Sequence, residues 1–85
     1  MNEHTDFTYE IYPNPNNGKF TITLDLKVKN IQLQIKDLLG NLVKSLKPSA
    51  STIEIDLSAQ PKGVYFVKII SEQGEVLEVK KVVVQ

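Results

Sequence analysis

The sequence has no cysteine and no arginine, and its only histidine is His4. Without cysteine there are neither disulfides nor thiolate metal sites, and the redox compartment stays open, because an exported domain with a sufficient core needs no cross-link. Without arginine, and with ten lysines against ten acidic residues, the chain lacks the basic excess and the guanidinium forks of a nucleic-acid surface. No apolar run approaches the roughly 20 residues needed to span a bilayer. The stretch Met1-Asn2-Glu3-His4-Thr5-Asp6 has neither a basic start nor an apolar core, so it does not read as a secretory signal. Such a chain stays where it was made or is a domain taken from a longer, exported protein. His4 has no second imidazole or thiol with which to build a triad or metal site, and reads as a solvated surface residue.

Helical periodicity is also missing. What is present is alternation. Phe7 to Tyr12 alternates large apolar with polar residues, and runs into Pro13-Asn14-Pro15-Asn16-Asn17-Gly18, where two prolines without amide donors and a glycine compel a tight turn. Phe20, Ile22, Leu24 and Leu26 then share one face against Lys19, Thr21, Thr23 and Asp25. Ile31, Leu33 and Ile35 face inward against Gln32, Gln34 and Lys36. After the turn Asp37-Leu38-Leu39-Gly40-Asn41, Leu42 to Leu46 returns as a short strand whose inward phase the pattern leaves open. Ile53, Ile55 and Leu57 alternate with Glu54 and Asp56. A corner over Ser58 to Gly63 leads to Val64-Tyr65-Phe66-Val67-Lys68-Ile69-Ile70, apolar enough to predict a central strand covered on most of both faces. Glu72-Gln73-Gly74-Glu75 turns the chain into a last strand from about Val76. Seven short strands with turn signals between them predict an all-β, seven-stranded antiparallel, immunoglobulin-like β-sandwich. Leu57, Pro61 and Tyr65 have the spacing of the corner before the sixth strand in such sandwiches, where a tyrosine hydroxyl bonds back to upstream backbone.

The constellations of catalysis do not assemble. Glu54 and Asp56, with Asp25 near them, could hold a weak Ca²⁺ or act as acid and base, but no special glycine or carbonyl loop accompanies them and they read as solvent-facing carboxylates. Gly18, Gly40, Gly63 and Gly74 fall in separate turns and make no phosphate loop. Tyr9, Tyr12, Phe20, Tyr65 and Phe66 read as strand and core positions. No cofactor is called for, and the chain is not expected to be an enzyme.

The run Lys80-Lys81-Val82-Val83-Val84-Gln85 is the irregular stretch. Two lysines before three β-branched residues favour a strand. Such a strand either closes the sheet of its own domain or is offered to the sheet edge of another protein. Neither inward phase is clean across the lysines; a bulge placed there would restore it.

The motifs, in their order, carry a resemblance. Tyr12-Pro13-Asn14-Pro15 with Gly18, then Asp37, Gly40 and Val43, then Gly63-Val64-Tyr65-Phe66-Val67-Lys68-Ile69, and finally Lys80 to Gln85, resemble the type A C-terminal sorting domain of the type IX, or Por, secretion system of Bacteroidota. The resemblance covers 11–85 as the domain and leaves 1–10 as a linker or added remnant holding the start of the first strand. It implies a non-catalytic signal on a fused upstream cargo, which reaches the periplasm by a separate signal and crosses the outer membrane to the surface or the extracellular space. Its implied partners are the outer-membrane translocon, a shuttle protein and a sortase-like cysteine protease that removes the domain, with cleavage upstream of or within 1–10. Lys80, Lys81, Val82, Val83, Val84 and Gln85 would be the recognition element, with Gly18 and Gly63 maintaining turns. A free terminal strand also allows an edge-paired homodimer. The competing class is a fibronectin-like or carbohydrate-binding accessory module of an extracellular enzyme, which would need a ligand groove on a sheet face; a spacer would need neither ligand nor partner.

Overall fold

Alternating sequence becomes two sheets whose apolar rows meet. The computed structural model describes residues 9–24 and 30–85. Its strands are β1 (Tyr9–Tyr12), β2 (Lys19–Leu24), β3 (Gln32–Asp37), β4 (Leu42–Leu46), β5 (Thr52–Asp56), β6 (Gly63–Ile70) and β7 (Val76–Val84). They form a three-stranded sheet in the order β1-β2-β5 and a four-stranded sheet in the order β4-β3-β6-β7, with every pairing antiparallel. The expected sandwich is therefore present. Its fourth strand lies beside β3 and not beside β5, which separates it from the constant-type immunoglobulin order.

The core is drawn from both inner faces: Phe20, Ile22 and Leu24 of β2 and Ile55 of β5 meet Leu33 and Ile35 of β3, Tyr65, Val67 and Ile69 of β6, and Val82 and Val84 of β7. Each such aliphatic side chain, fully removed from water, contributes about 1.5–3 kcal/mol to folding. Two residues of the terminal run thus belong to the core, because Val82 is wholly buried and Val84 is 4% exposed. The last strand closes the domain's own sheet, opposite Gly63 to Ile70.

Bulges explain the two phases that alternation left unclear. In β7 the pairing passes from Ile70↔Val76 to Ile69↔Glu78, so Leu77 is the extra residue. The register then runs unbroken through Lys80 and Lys81, and the bulge expected at the lysines lies three residues earlier. Leu77 still packs on the core, and from Glu78 onward the even-numbered residues face inward. In β4 the pairing skips Val43, which lets Val43 and Leu46 both pack against the core.

A further expectation is corrected at β6. It is central in its sheet, but only Tyr65, Val67 and Ile69 of it are buried; Val64, Phe66, Lys68 and Ile70 lie half-buried on an outer face that no third layer covers among the described residues. The readings made for His4, for Phe7 and Thr8 at the start of the first strand, and for Asp25, Leu26 and Val28 lie outside the described residues.

Candidate functional site

The opening turn and the terminal strand, far apart in sequence, are one structure. Residues 13–16 run along the outer edge of β7, where a strand would otherwise leave its amides and carbonyls unpaired. The side-chain amide of Asn14 substitutes for a neighbouring strand: Nδ2 donates to the Lys81 carbonyl at 2.9 Å, and Oδ1 accepts from the Val83 amide at 2.9 Å. Asn16 continues with its backbone, donating N–H to the Val83 carbonyl at 3.0 Å and accepting from the Gln85 amide at 2.7 Å. This short parallel contact aligns Asn16 with Val84. The edge of the terminal run is consequently occupied from the Lys81 carbonyl to the Gln85 amide.

Asn16 can do this because its own side chain is fixed. Its Oδ1 accepts from the Gly18 amide at 2.8 Å and its Nδ2 donates to the Pro13 carbonyl at 3.0 Å. It is the buried polar residue of the described chain. Pro13, Asn14 and Pro15 are exposed around it, and both Tyr12-Pro13 and Asn14-Pro15 peptide bonds are cis. Gly18 sits at φ +115°, and a Cβ there would come within 2.9 Å of the Ser58 Cα. Only glycine lets this turn close on the end of β5, where the Gly18 carbonyl accepts from the Leu57 amide at 2.6 Å.

On the other flank of β7, Gly63 pairs with Val84 and Tyr65 with Val82. The buried Tyr65 donates its hydroxyl to the Pro61 carbonyl, the bond that a tyrosine corner requires, and so ties the Ser58–Gly63 corner to the strand beside the terminal run.

The two lysines part company. Lys80 is on the inner phase, at the open side of the sandwich, with its ammonium 5.1 Å from the ring centre of Tyr9. Tyr9 is itself buried and donates its hydroxyl to the Val67 carbonyl at 3.1 Å across the sandwich. Burial, and after it the Glu78 carboxylate, push the Tyr9 phenol well above its ordinary range, so it remains a donor. Lys81 is outward and exposed, in line with half-buried Val83 and exposed Gln85. The six residues of the terminal run therefore divide into Lys80, Val82 and Val84 turned into the fold, and Lys81, Val83 and Gln85 turned out of it.

Asp37 and Gly40 are not part of the clamp. They build the β3–β4 turn, where the Asp37 carboxylate accepts from the amides of Asn41 at 2.8 Å and Leu39 at 3.0 Å and from the Asn41 side chain at 3.2 Å. The Asn41 backbone amide foremost holds the Asp37 carboxyl below its usual range. A turn fixed so firmly holds Leu38 at 66% and Leu39 at 87% exposure. The sequence reading singles out Asp37 and Gly40 and assigns these two leucines and Asn16 no role beyond their turns, whereas its reading of Tyr9 as a strand and core position agrees with the structure.

The three-stranded sheet bears a concave patch among its described residues, but not one lined by exposed aromatic rings. A shallow depression there is bordered by Lys19, Thr21, Glu54 and Asp56, its one aromatic neighbour Phe20 is buried, and Tyr12 is the only exposed aromatic among the described residues. Asp56 is engaged by Ser58, whose hydroxyl lies 2.5 Å and amide 2.9 Å from its Oδ1. Among the described residues no three carboxylates or imidazoles converge on a point that could hold a metal.

A family model described as a secretion system C-terminal sorting domain matches residues 10–85. An ulvan lyase of Nonlabens ulvanivorans is 35% identical over 74 residues, which make up 86% of this chain and 14% of the lyase.

Proposed function

Since the chain belongs to the secretion system C-terminal sorting domains, we propose that its readable element is the outward row Lys81, Val83 and Gln85, held in shape by Asn14 and Asn16. The domain is a non-catalytic signal on an upstream cargo, and it directs that cargo through the type IX system across the outer membrane to the surface or the extracellular space. The chain spans 14% of the relative's length, so what the cargo does is a separate matter.

The observation that carries the reading is the clamp. Asn14 and Asn16 engage the β7 edge from Lys81 to Gln85, and β6 engages its other side. Main-chain pairing of a translocon strand with this stretch would first have to displace Asn14, so recognition rests on the outward side chains. Lys80, Val82 and Val84 serve it indirectly, by anchoring the strand in the core and over Tyr9. Pro13, Pro15, Gly18, Gly63 and Tyr65 keep the turns on either side, and Asp37 with Gly40 keeps the β3–β4 turn. In this reading the translocon and its shuttle bind the folded domain, residues 1–10 link it to the cargo, and a sortase-like cysteine protease cuts upstream of or within that linker. Edge pairing of two copies through β7 would have to use Val76 to Lys80, since the remainder is taken.

Deleting Val82 to Gln85 would remove core side chains together with the signal, so substitutions discriminate better. A periplasmic reporter fused ahead of the chain is exported in a host with the type IX machinery. The variant Lys81→Ala, Val83→Ala, Gln85→Ala keeps its circular dichroism spectrum and leaves the reporter in the periplasm. Undiminished export of that folded variant would overturn the assignment of these residues.

A further inference from the structure

The two outer faces of the sandwich differ in kind. That of the three-stranded sheet presents Glu10, Lys19, Thr21, Thr23, Thr52, Glu54 and Asp56, with Tyr12 as its one large apolar side chain. That of the four-stranded sheet presents Gln32 and Gln34 of β3 and Ser45 of β4, and an apolar strip made by Val64, Phe66 and Ile70 of β6 beside Val79 and Val83 of β7. Its charges all have one sign. Phe66 pairs with Lys36 on one side and Lys81 on the other, and Lys68 pairs with Val79. The outward positions of β3, β4, β6 and β7 hold no carboxylate, in a chain whose formal net charge is zero. Acidic residues lie beyond these positions: Glu72 and Glu75 in the β6–β7 turn, Glu78 on the inner phase of β7, and Asp37, which is turned back on Leu39 and Asn41.

The exposed leucines extend this face. Leu42 pairs with Lys36 in the same row, and Leu38 and Leu39 share with Val64 a depression of about 250 Å³ between the β3–β4 turn and the Pro61 corner. Leucines held 66% and 87% exposed by a carboxylate-anchored turn are a pre-organised contact, since their ordering is complete before any partner arrives.

We infer that this apolar face with lysines set among its apolar side chains, running from Leu38 and Leu39 across Phe66 to Lys81 and Val83, docks against an apolar surface that carries carboxylates on a protein of the export machinery. The inference rests on the sorting function and widens its readable element from one strand to a whole sheet face. Charge selects the occupant. A second copy laid on the same face would set lysines against lysines. An anionic bilayer is held by clusters of roughly four to eight basic residues, and this face has three on a flat sheet. A protein surface matches both its flatness and its alternation of apolar side chains with lysines.

The test uses the reporter fusion with substitutions outside the terminal run. Lys36→Glu with Lys68→Glu, and separately Leu38→Ser with Leu39→Ser, lower export by about tenfold or more while the spectrum and thermal midpoint stay near wild type. Lys19→Glu with Lys44→Glu, the same charge change off the face, exports normally. If Lys36→Glu with Lys68→Glu does not fold, Lys36→Gln with Lys68→Gln replaces it under the same criterion. Normal export of a folded face variant, while the Lys81, Val83, Gln85 variant is retained, overturns this inference and leaves the strand reading standing. Failure of the wild-type fusion to be exported overturns the sorting reading itself. Sedimentation of the wild-type domain, but not of the Lys36→Glu, Lys68→Glu variant, with equimolar phosphatidylglycerol and phosphatidylcholine vesicles would give the face to a membrane and also overturn the inference.

Discussion

Asn14 accepts the amide of Val83 at 2.9 Å, and 69 positions of sequence separate the two. Because the same side chain also donates to Lys81, one asparagine does the work of a strand residue along an edge that would otherwise pair with solvent or with another chain. Asn14→Ala removes both bonds at an exposed site and lowers stability by about 1 kcal/mol. Asn16→Ala leaves the Gly18 amide and the Pro13 carbonyl without their partner in a buried place, and costs about 2 kcal/mol. Urea midpoints of the two variants check the order; equal midpoints would contradict the clamp.

Gly18→Ala tests the closest backbone approach. The added methyl meets the Ser58 backbone at 2.9 Å in a positive-φ conformation, and neither neighbour is a flexible side-chain end. The expected loss is about 2 kcal/mol or more, read from thermal unfolding. A wild-type midpoint would mean that the turn can relax away from β5.

The lysine pair should separate under mutation. Lys80→Ala withdraws a cation from the face of the Tyr9 ring and lowers stability by about 0.5 kcal/mol, whereas Lys81→Ala leaves the midpoint unchanged. In the export assay the order reverses, with Lys81→Ala the more damaging substitution. Matching effects of the two in both assays would reject the division into inner and outer residues.

Tyr65→Phe keeps the ring and deletes the bond to the Pro61 carbonyl, costing about 1 kcal/mol. Hydrogen exchange at the Ser58–Gly63 corner should quicken in this variant more than exchange in β2.

Asp37 carries a pH dependence whose sign follows from its lowered carboxyl. Its ionised form is favoured in the folded state, so the stabilisation is present above the unfolded aspartate value of about 3.9 and disappears as pH falls through the lower folded value. The stability advantage of wild type over Asp37→Asn is therefore widest near neutrality and closes in acid. Parallel curves from neutral to acidic pH would show that the β3–β4 turn does not depend on the charge.

How much of this could be read from the chain alone varied with the range of the interaction. Period-two alternation places Phe20, Ile22, Leu33, Ile35 and Ile55 inward because that signal is local, and the positions of the seven strands follow. The phase of β4 and the bulge of β7 stayed unclear because skipping Val43 or Leu77 is decided by packing on the opposite sheet, which leaves no local mark. Asn16 looked like a turn residue because its turn bonds are local and its bonds to Val83 and Gln85 are not. The outer face of β6 was misjudged because Val64, Phe66 and Ile70 have the composition of buried residues, and composition cannot say whether a layer lies above them.

The clamp makes the terminal run a conditional signal. Residues 81–85 carry Asn14 and Asn16 along their free edge, and the turn that holds those two residues is seated on the end of β5 through Gly18. A receptor tuned to that shape would ignore the same six residues on an unfinished chain. Reading the tail would amount to inspecting the whole domain, so that admission to the export pore certifies maturation as well as address.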